Sequence, residues 1–337
     1  MKRRIWPVML AGPVVLAACS TVVPDKYTNE AVGFQTIADQ TSNAIGKRTA
    51  FTRTQAQNEA LSQEVRDLVL GKTISAETAV QAALLNNKGL QAAYVSAGLS
   101  AAEVWQQMTP ENPVVSIGLL GIGAPELGLY RALESTIALN LLDTKTRKQR
   151  IAVAEAQYQQ AQLTAVQETL ALAGETRQAW INAVAAFERF SYLRRASEAA
   201  GAGAELASQL GRTGALNKAG QAREFAFQAE LAGQVARARL EASLAKEELT
   251  RLMGLWGGDA RYYVPDALPT LPRSLSRVAS IEAAALKNRV DLKVAKIGLE
   301  AQARAFGLTD QTRLVTDLEL IAGFESERER EDGATTT

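Results

Sequence analysis

From Asp143 to about Arg212 nothing in the chain interrupts a helical pattern except scattered glycines. At about 1.5 Å per residue such a helix is roughly 100 Å long, well beyond the ordinary globular range. A seam is legible within it. Leu163, Val166, Leu170, Ala173, Arg177, Trp180, Val184 and Phe187 alternate steps of three and four, the coiled-coil period. Ile151, Ala154, Tyr158, Ala161 and Ala165 make a second row of the same kind. Hydrophobic residues are 47% of the chain but aromatics only 6%, so alanine supplies much of the apolar content. Alanine is the best helix former and the least bulky core residue. The expected fold class is mainly α with a small β part, its helices approaching one another closely.

The stretch QLGRTGALNKAG, 209–220, is expected to break the long helix with Gly211 and Gly214 and to start another at about Leu216. That second helix carries two seams. One is Ala215, Ala219, Ala222, Ala226, Ala229, Gly233, Ala236 and Leu240; the other is Leu231, Val235, Ala238, Ala242, Ala245, Leu249 and Leu252. A helix with two seams has two neighbours, which suits a ring of helices better than a hairpin. An ordinary antiparallel bundle with alanine filling is the alternative.

Upstream, residues 20–72 are polar and mixed, with a helix expected in AFTRTQAQNEALSQEVRDLVLG, ended by Gly71. Ser75 is a candidate N-cap, with Thr78 at the third helical position, for a helix running to about Met108. Thr109-Pro110 and Asn112-Pro113 stop it. Pro113 to Gly123 and Ser135 to Leu142 read as strands around a loop, APELGLYRALE. In the second, Ile137, Leu139 and Leu141 share one face while Thr136, Ala138 and Asn140 share the other. Two short strands alone are marginal in water, so they need further strands, or a membrane and closure.

After a Gly-, Pro- and aromatic-rich region at 253–274 the chain repeats itself. A shift of 202 positions lays ALKNRVDLKVA (285–295) over ALLNNKGLQAA (83–93). The register persists to Gly121 over Gly323, so TDLELIAGF (316–324) takes the place of the first strand. A repeat of this length is a duplicated domain. Domains are expected at 75–253 for the first copy, 254–275 for a linker and 276–337 for a second copy that stops early, preceded by an N-terminal segment at 19–74.

The start of the chain reads as a targeting signal. Lys2, Arg3 and Arg4 precede an apolar run from Ile5 to Ala18, too short to span a bilayer. Residues 1–18 are therefore expected to be a signal peptide. Leu16-Ala17-Ala18-Cys19 resembles the bacterial lipobox, which implies lipidation of Cys19, the chain's single cysteine. A buried free cysteine is the other reading, and position at the end of a signal peptide decides against it.

There is no histidine. The usual general base, the commonest metal ligand and every Ser-His or Cys-His pair are excluded. No disulfide or multi-thiolate metal site can be built from one cysteine. The acidic residues are scattered at solvated helical spacings, so neither an enzyme, a metal site nor a cofactor is expected. The formal charge of +1 falls to near −2 when the three cations of the signal peptide are removed, which is no footprint for nucleic acid.

The order of elements carries a family resemblance. A lipobox, TAVQAALLNN…LQAA, a strand pair, a very long helix, a glycine-broken turn and NRVDL opening a second copy resemble the TolC-like outer-membrane efflux proteins over about 75–324. The resemblance implies a homotrimer whose protomers each give four strands to a transmembrane β-barrel, with long coiled-coil helices forming a periplasmic α-barrel. It implies a periplasmic adaptor and an inner-membrane pump as partners, and outer-membrane lipid around the strands. Gly211, Arg212, Gly214 and Leu216 would then lie at the adaptor-contact tip; a helix-hairpin turn that needs glycine for geometry is the structural alternative. Glu205 and Glu224 are the nearest acids to that turn, and no gate is assigned to them. The run ESEREREDG (325–333) is expected in a solvated hairpin loop. Cys19 is followed by Ser20 and not aspartate, which by the resemblance points to the outer membrane.

The family's second copy continues through another strand and two helices, so the sequence is expected to be a fragment; a naturally truncated product, unable to form the channel alone, is the alternative. The expected function is that of exit duct in a tripartite efflux or secretion system, a passive conduit. A periplasmic coiled-coil scaffold or adaptor lipoprotein is the alternative, though a scaffold has no use for strands at matching places in both copies.

Overall fold

The computed structural model describes residues 33–120, 132–271, 280–315 and 317–327, with 27, 122, 273, 329–331 and 334–336. The signal peptide and Cys19 lie outside the described residues, as does most of the loop expected between the first two strands. In chain order the described elements are α1 (Phe34–Ile45), α2 (Gln55–Val69), α3 (Ala76–Asn86), α4 (Lys88–Met108), β1 (Val114–Leu120), β2 (Ala132–Asn140), α5 (Leu141–Arg212) and α6 (Lys218–Leu252). A 3-10 turn at Gly257–Ala260 precedes α7 (Ile281–Asn288), α8 (Val290–Thr312), β3 (Glu319–Glu327), β4 (Glu329–Glu331) and β5 (Ala334–Thr336). The long helix is present, 72 residues without a break.

Several boundaries differ from expectation, each for a local reason. The helix expected over 75–108 is two helices. Asn87 is extended, with ψ 123, and its side-chain oxygen accepts from the Leu90 amide, which caps α4. The same break recurs 202 residues on at Arg289, also ψ 123, between α7 and α8. Leu141 and Leu142 belong to α5 and not to a strand, because Asn140 accepts from the Asp143 amide at 2.8 Å and starts the helix. The expected loop gives up Ala132, Leu133 and Glu134 to β2. The expected C-terminal loop gives up residues 325–327 to β3, and 329–331 pair with 334–336 as β4 and β5. The helix α1 was not expected at all. Around α2 the signal was legible: Thr54 and Gln57 form a reciprocal capping box, and Val69 ends the helix two residues before Gly71.

The described chain divides into two compact units. One contains 34–97 and 162–292. Its core joins α5 to the residues just before α3 and to α4: the Trp180 indole donates to the Ile74 carbonyl at 2.9 Å, and the Tyr94 hydroxyl meets Thr169 at 3.2 Å. The Leu163–Phe187 seam is buried or half-buried throughout, as its period requires. A second row on α5, Ala165, Thr169, Leu172, Thr176, Ala179 and Ala183, is buried as well. Thr169 and Thr176 read as polar, yet each hydroxyl donates to the carbonyl four residues earlier at 2.7 Å and so enters the core satisfied. Residues 34–54 strap this unit through Phe34 and Phe51, whose rings meet Tyr94 at 5.0 and 6.1 Å.

The other unit contains residues up to 33, 98–161 and 293–337. It holds a three-stranded antiparallel sheet in the order β1-β2-β3. Beside the sheet, the Arg304 guanidinium donates to the Ala152 carbonyl at 2.8 Å and ties α8 to α5.

Candidate functional site: a two-faced sheet and a helical tip

The sheet register sorts side chains by face, since directly paired residues point to the same side. Val115 pairs with Ile137 and that with Ala322; Ile117 pairs with Ser135 and Phe324; Leu119 pairs with Leu133 and Ser326. With Leu139 and Leu320 these make an apolar face interrupted by two serines. Most of it is open: Ile117 is 71% exposed, Val115 59% and Phe324 62%. The other face carries Ser116, Thr136 and Gly323 in one row and Gly118, Glu134 and Glu325 in the next. Glu319 and Glu327 lie on it too, so all four carboxylates of the three strands share one side. The face as a whole is not purely polar, as Val114, Ala138 and Ile321 pair on this side and Leu120 and Ala132 pair beside Glu327.

The apolar face has no partner among the described residues, and a water-soluble sheet would bury it. The strands run seven to nine residues, near the length of a tilted strand crossing a hydrocarbon core. Its lower edge is polar: the Asn140 amide donates to Glu111 at 3.1 Å while its oxygen caps α5. Among the described residues no helix is long and apolar enough to cross a membrane.

At the turn between α5 and α6 the glycines act differently from expectation. Gly211 does not break the helix; α5 runs through it to Arg212, which is exposed. A Cβ on Gly211 would lie 2.2 Å from the Gln221 carboxamide, which would have to swing aside to admit it. Gly214 is the turning residue, with φ +79 and open space around it. The α6 helix begins at Lys218 and not Leu216, because Asn217 accepts from the Gly220 amide at 2.8 Å. Leu216 is half-buried against Gly220, and its carbonyl accepts from Gln221 at 3.2 Å. Asn217, Gly220 and Gln221 were missed in the sequence reading, though Asn before a helical run is a capping signal. Gly201 and Gly203 lie beside the Gln228 and Glu224 side chains of α6, with room for a Cβ at ordinary contact distance. Among the described residues no cluster of acidic side chains could hold a metal ion.

The two seams of α6 differ in burial. Leu231, Ala238, Ala242, Leu249 and Leu252 are buried and Val235 and Ala245 half-buried. Ala219, Ala222, Ala226, Ala229, Gly233, Ala236 and Leu240 are all exposed. Ala215 precedes the helix. One seam is covered within the chain and the other is bare.

No protein-family model matches the chain, and no curated protein does. Solved structures do. CusC, in crystal structures concerned with folding and transmembrane channel formation, matches with a TM-score of 0.55 at 14% identity, over 77% of this chain and 66% of CusC. The outer-membrane channel OprN matches at 0.59 and 17% identity, over 83% of this chain and 71% of its own length. The outer membrane protein VceC of Vibrio cholerae matches at 0.57 and 13% identity, over 77% and 69%. The chain thus spans about two thirds of the length of these proteins, and at such identities the likeness is one of fold. Mainly helical, with a very long helix rising directly from a small antiparallel sheet, the chain has the fold of the TolC-like outer-membrane channels.

Proposed function

We propose that this chain is the outer-membrane exit duct of a tripartite efflux or secretion system, conducting passively while an inner-membrane pump supplies the work. The carrying observation is the sheet: one face apolar and bare, the other bearing Glu134, Glu319, Glu325 and Glu327. Facing lipid with the first and an aqueous lumen with the second is the pattern of a transmembrane barrel. Closure would need further strands, because a lipid-exposed sheet edge leaves backbone groups unpaired.

The bare alanine seam of α6 supports assembly into a homotrimer, in which a neighbouring helix covers it. The turn with Gly211, Arg212, Gly214 and Leu216 is the proposed meeting point with a periplasmic adaptor, Arg212 being its exposed cation. Residues 1–18 are the proposed signal peptide and Cys19 the lipid anchor, so that the protein sits in the outer membrane and extends into the periplasm. The proposed division of the remainder is 19–74, a first copy at 75–253, a linker at 254–275 and a second copy from 276. Catalysis has no part in this reading, in keeping with a fold found in channels and a chain without histidine.

The test is conductance. Full-length protein purified from outer membranes and added to a planar lipid bilayer should give discrete conducting steps, and a silent bilayer with folded trimer present would sink the proposal. A photocrosslinker at Arg212 should capture a periplasmic protein in cells.

A further inference from the structure

The apolar face of the sheet does not stop at the last paired row of its strands. Beyond Asn140 and Glu319 the Leu141 amide donates to the Leu318 carbonyl at 2.8 Å. These two leucines continue the alternation of Leu139 and Leu320, and they are 40% and 46% exposed. Leu141 is also the first residue of α5. Lys145 and Lys148 follow it by four and seven residues, the spacing that puts all three on one stripe of a helix. Both lysines are exposed. Within two turns the stripe passes from the leucine that ends the apolar face to a pair of cations.

The charges around the lysines leave them uncommitted. Asp143, the carboxylate nearest to them on the helix, is buried and paired with Arg150. Glu111 accepts from the Asn140 amide at 3.1 Å. Among the described residues neither lysine forms an ion pair. Their Cα atoms lie about 6 and 10 Å beyond Leu141 along the helix axis. The polar layer of a bilayer is roughly 5–8 Å deep on each side. A lysine stem is long enough to carry its ammonium back towards that layer while lying along the helix. With Leu141 at the margin of the hydrocarbon, both ammonium groups reach the level of lipid phosphates. What sets this pair apart from other exposed lysines is its continuity with the apolar face.

We infer that Lys145 and Lys148 hold the phosphate of an anionic phospholipid whose acyl chains lie along the apolar face above them. The lipid belongs to the leaflet on the side where α5 leaves the sheet. A zwitterionic lipid offers the same phosphate but carries its own ammonium or choline, which the two lysines repel. Charge complementarity therefore selects a headgroup of the phosphatidylglycerol kind. The contact also sets the depth of the sheet, because leucines above and cations below prefer opposite sides of one boundary. This inference rests on the reading of the apolar face as lipid-facing.

The experiment uses the full-length protein reconstituted in vesicles of phosphatidylethanolamine and phosphatidylglycerol. Traces of phosphatidylglycerol or phosphatidylcholine carrying a diazirine close to the glycerol are photolysed, and crosslinks to residues 141–152 are counted by peptide mass spectrometry. A cation near an anionic surface raises lipid binding roughly fivefold, so phosphatidylglycerol should label this segment at least fivefold more than phosphatidylcholine. Lys145→Gln with Lys148→Gln should bring the ratio close to one, whereas Lys145→Arg with Lys148→Arg should keep it. Equal labelling of the parent by the two lipids, a preference that survives the glutamine pair, or one lost in the arginine pair overturns the inference. A phosphatidylcholine with its diazirine at the far end of the acyl chain is run in parallel. Its failure to label β1, β2 and β3 would overturn the bilayer reading itself, whereas labelled strands with no headgroup preference below them overturn the lipid site alone.

Discussion

Asn86 and Gly254 form one joint. The Asn86 amide donates to the carbonyls of Met253 and Gly254 at 3.2 and 2.7 Å, fastening the end of α3 to the end of α6. Gly254 has φ +65, and a Cβ there would lie 2.6 Å from the Asn86 carbonyl oxygen. Gly254→Ala therefore meets left-handed strain and a backbone clash together, with an expected loss of about 3 kcal/mol in chemical denaturation. Gly214→Ala meets the strain in open space and should lose only about 1–2 kcal/mol. Equal losses at the two positions would refute the joint. Glu77 supplies a pH dependence. Hydrogen bonds from Lys47 and then Arg177 hold its carboxyl below the ordinary value of 4.5. Its contribution is present above that value and is lost as pH falls through the lowered folded one. The side chain is 55% exposed, so the effect is small. Glu77→Gln should be slightly less stable than the parent at neutral pH, and the gap should close on acidification; a gap that widens in acid would contradict the assignment.

Helices in this chain are specified by seams, and the seams of α6 lead to opposite fates. The Leu231–Leu252 row is covered within the chain, while the Ala219–Leu240 row is bare. Exposed positions tolerate substitution within about 0.5 kcal/mol, so Ala229→Glu should leave the melting of the isolated chain unchanged. In the proposed homotrimer the same carboxylate would be buried without a partner, and the trimer fraction in native gels or light scattering should fall several-fold. Unchanged assembly would mean that nothing docks there. The paired breaks at Asn87 and Arg289 are a second feature of this scale. In the first copy the break is anchored, since the Asn87 amide also donates to the Leu252 carbonyl at 3.0 Å. In the second, Arg289 is paired with Asp291 two residues on.

For the whole molecule, the division of the sheet into faces matters most. Glu134 and Glu325 are direct cross-strand neighbours, an arrangement of like charges that destabilises a sheet and calls for high dielectric or counter-ions. In the proposed duct, water in the lumen would supply both. The duct is expected to prefer cations, and replacing both residues by Gln should lower the cation-to-anion permeability ratio measured from reversal potentials under a salt gradient. A ratio indifferent to the double substitution would remove these carboxylates from the conducting path.

The long helix, the strand pair, the turn and the 202-residue repeat were legible in the sequence, because each is a local pattern: a period of three and four, a period of two, a glycine, a shifted copy. The caps at Thr54 and Asn217 are equally local but were not read from it. Much of the rest that escaped was set by contacts distant in sequence. Thr169 and Thr176 enter the core because their hydroxyls bond backward while α5 is packed on that side. Residues 34–54 become ordered because Phe34 and Phe51 find Tyr94. Neither can be read from a run of polar letters. Likewise the two seams of α6 are indistinguishable by period, and only packing separates the covered from the bare. The alternation in β2 divided its residues between two sides, but which strands lie beside it depended on β3, about 180 residues further on. Periodicity specifies which residues share a face; only tertiary pairing decides what that face meets.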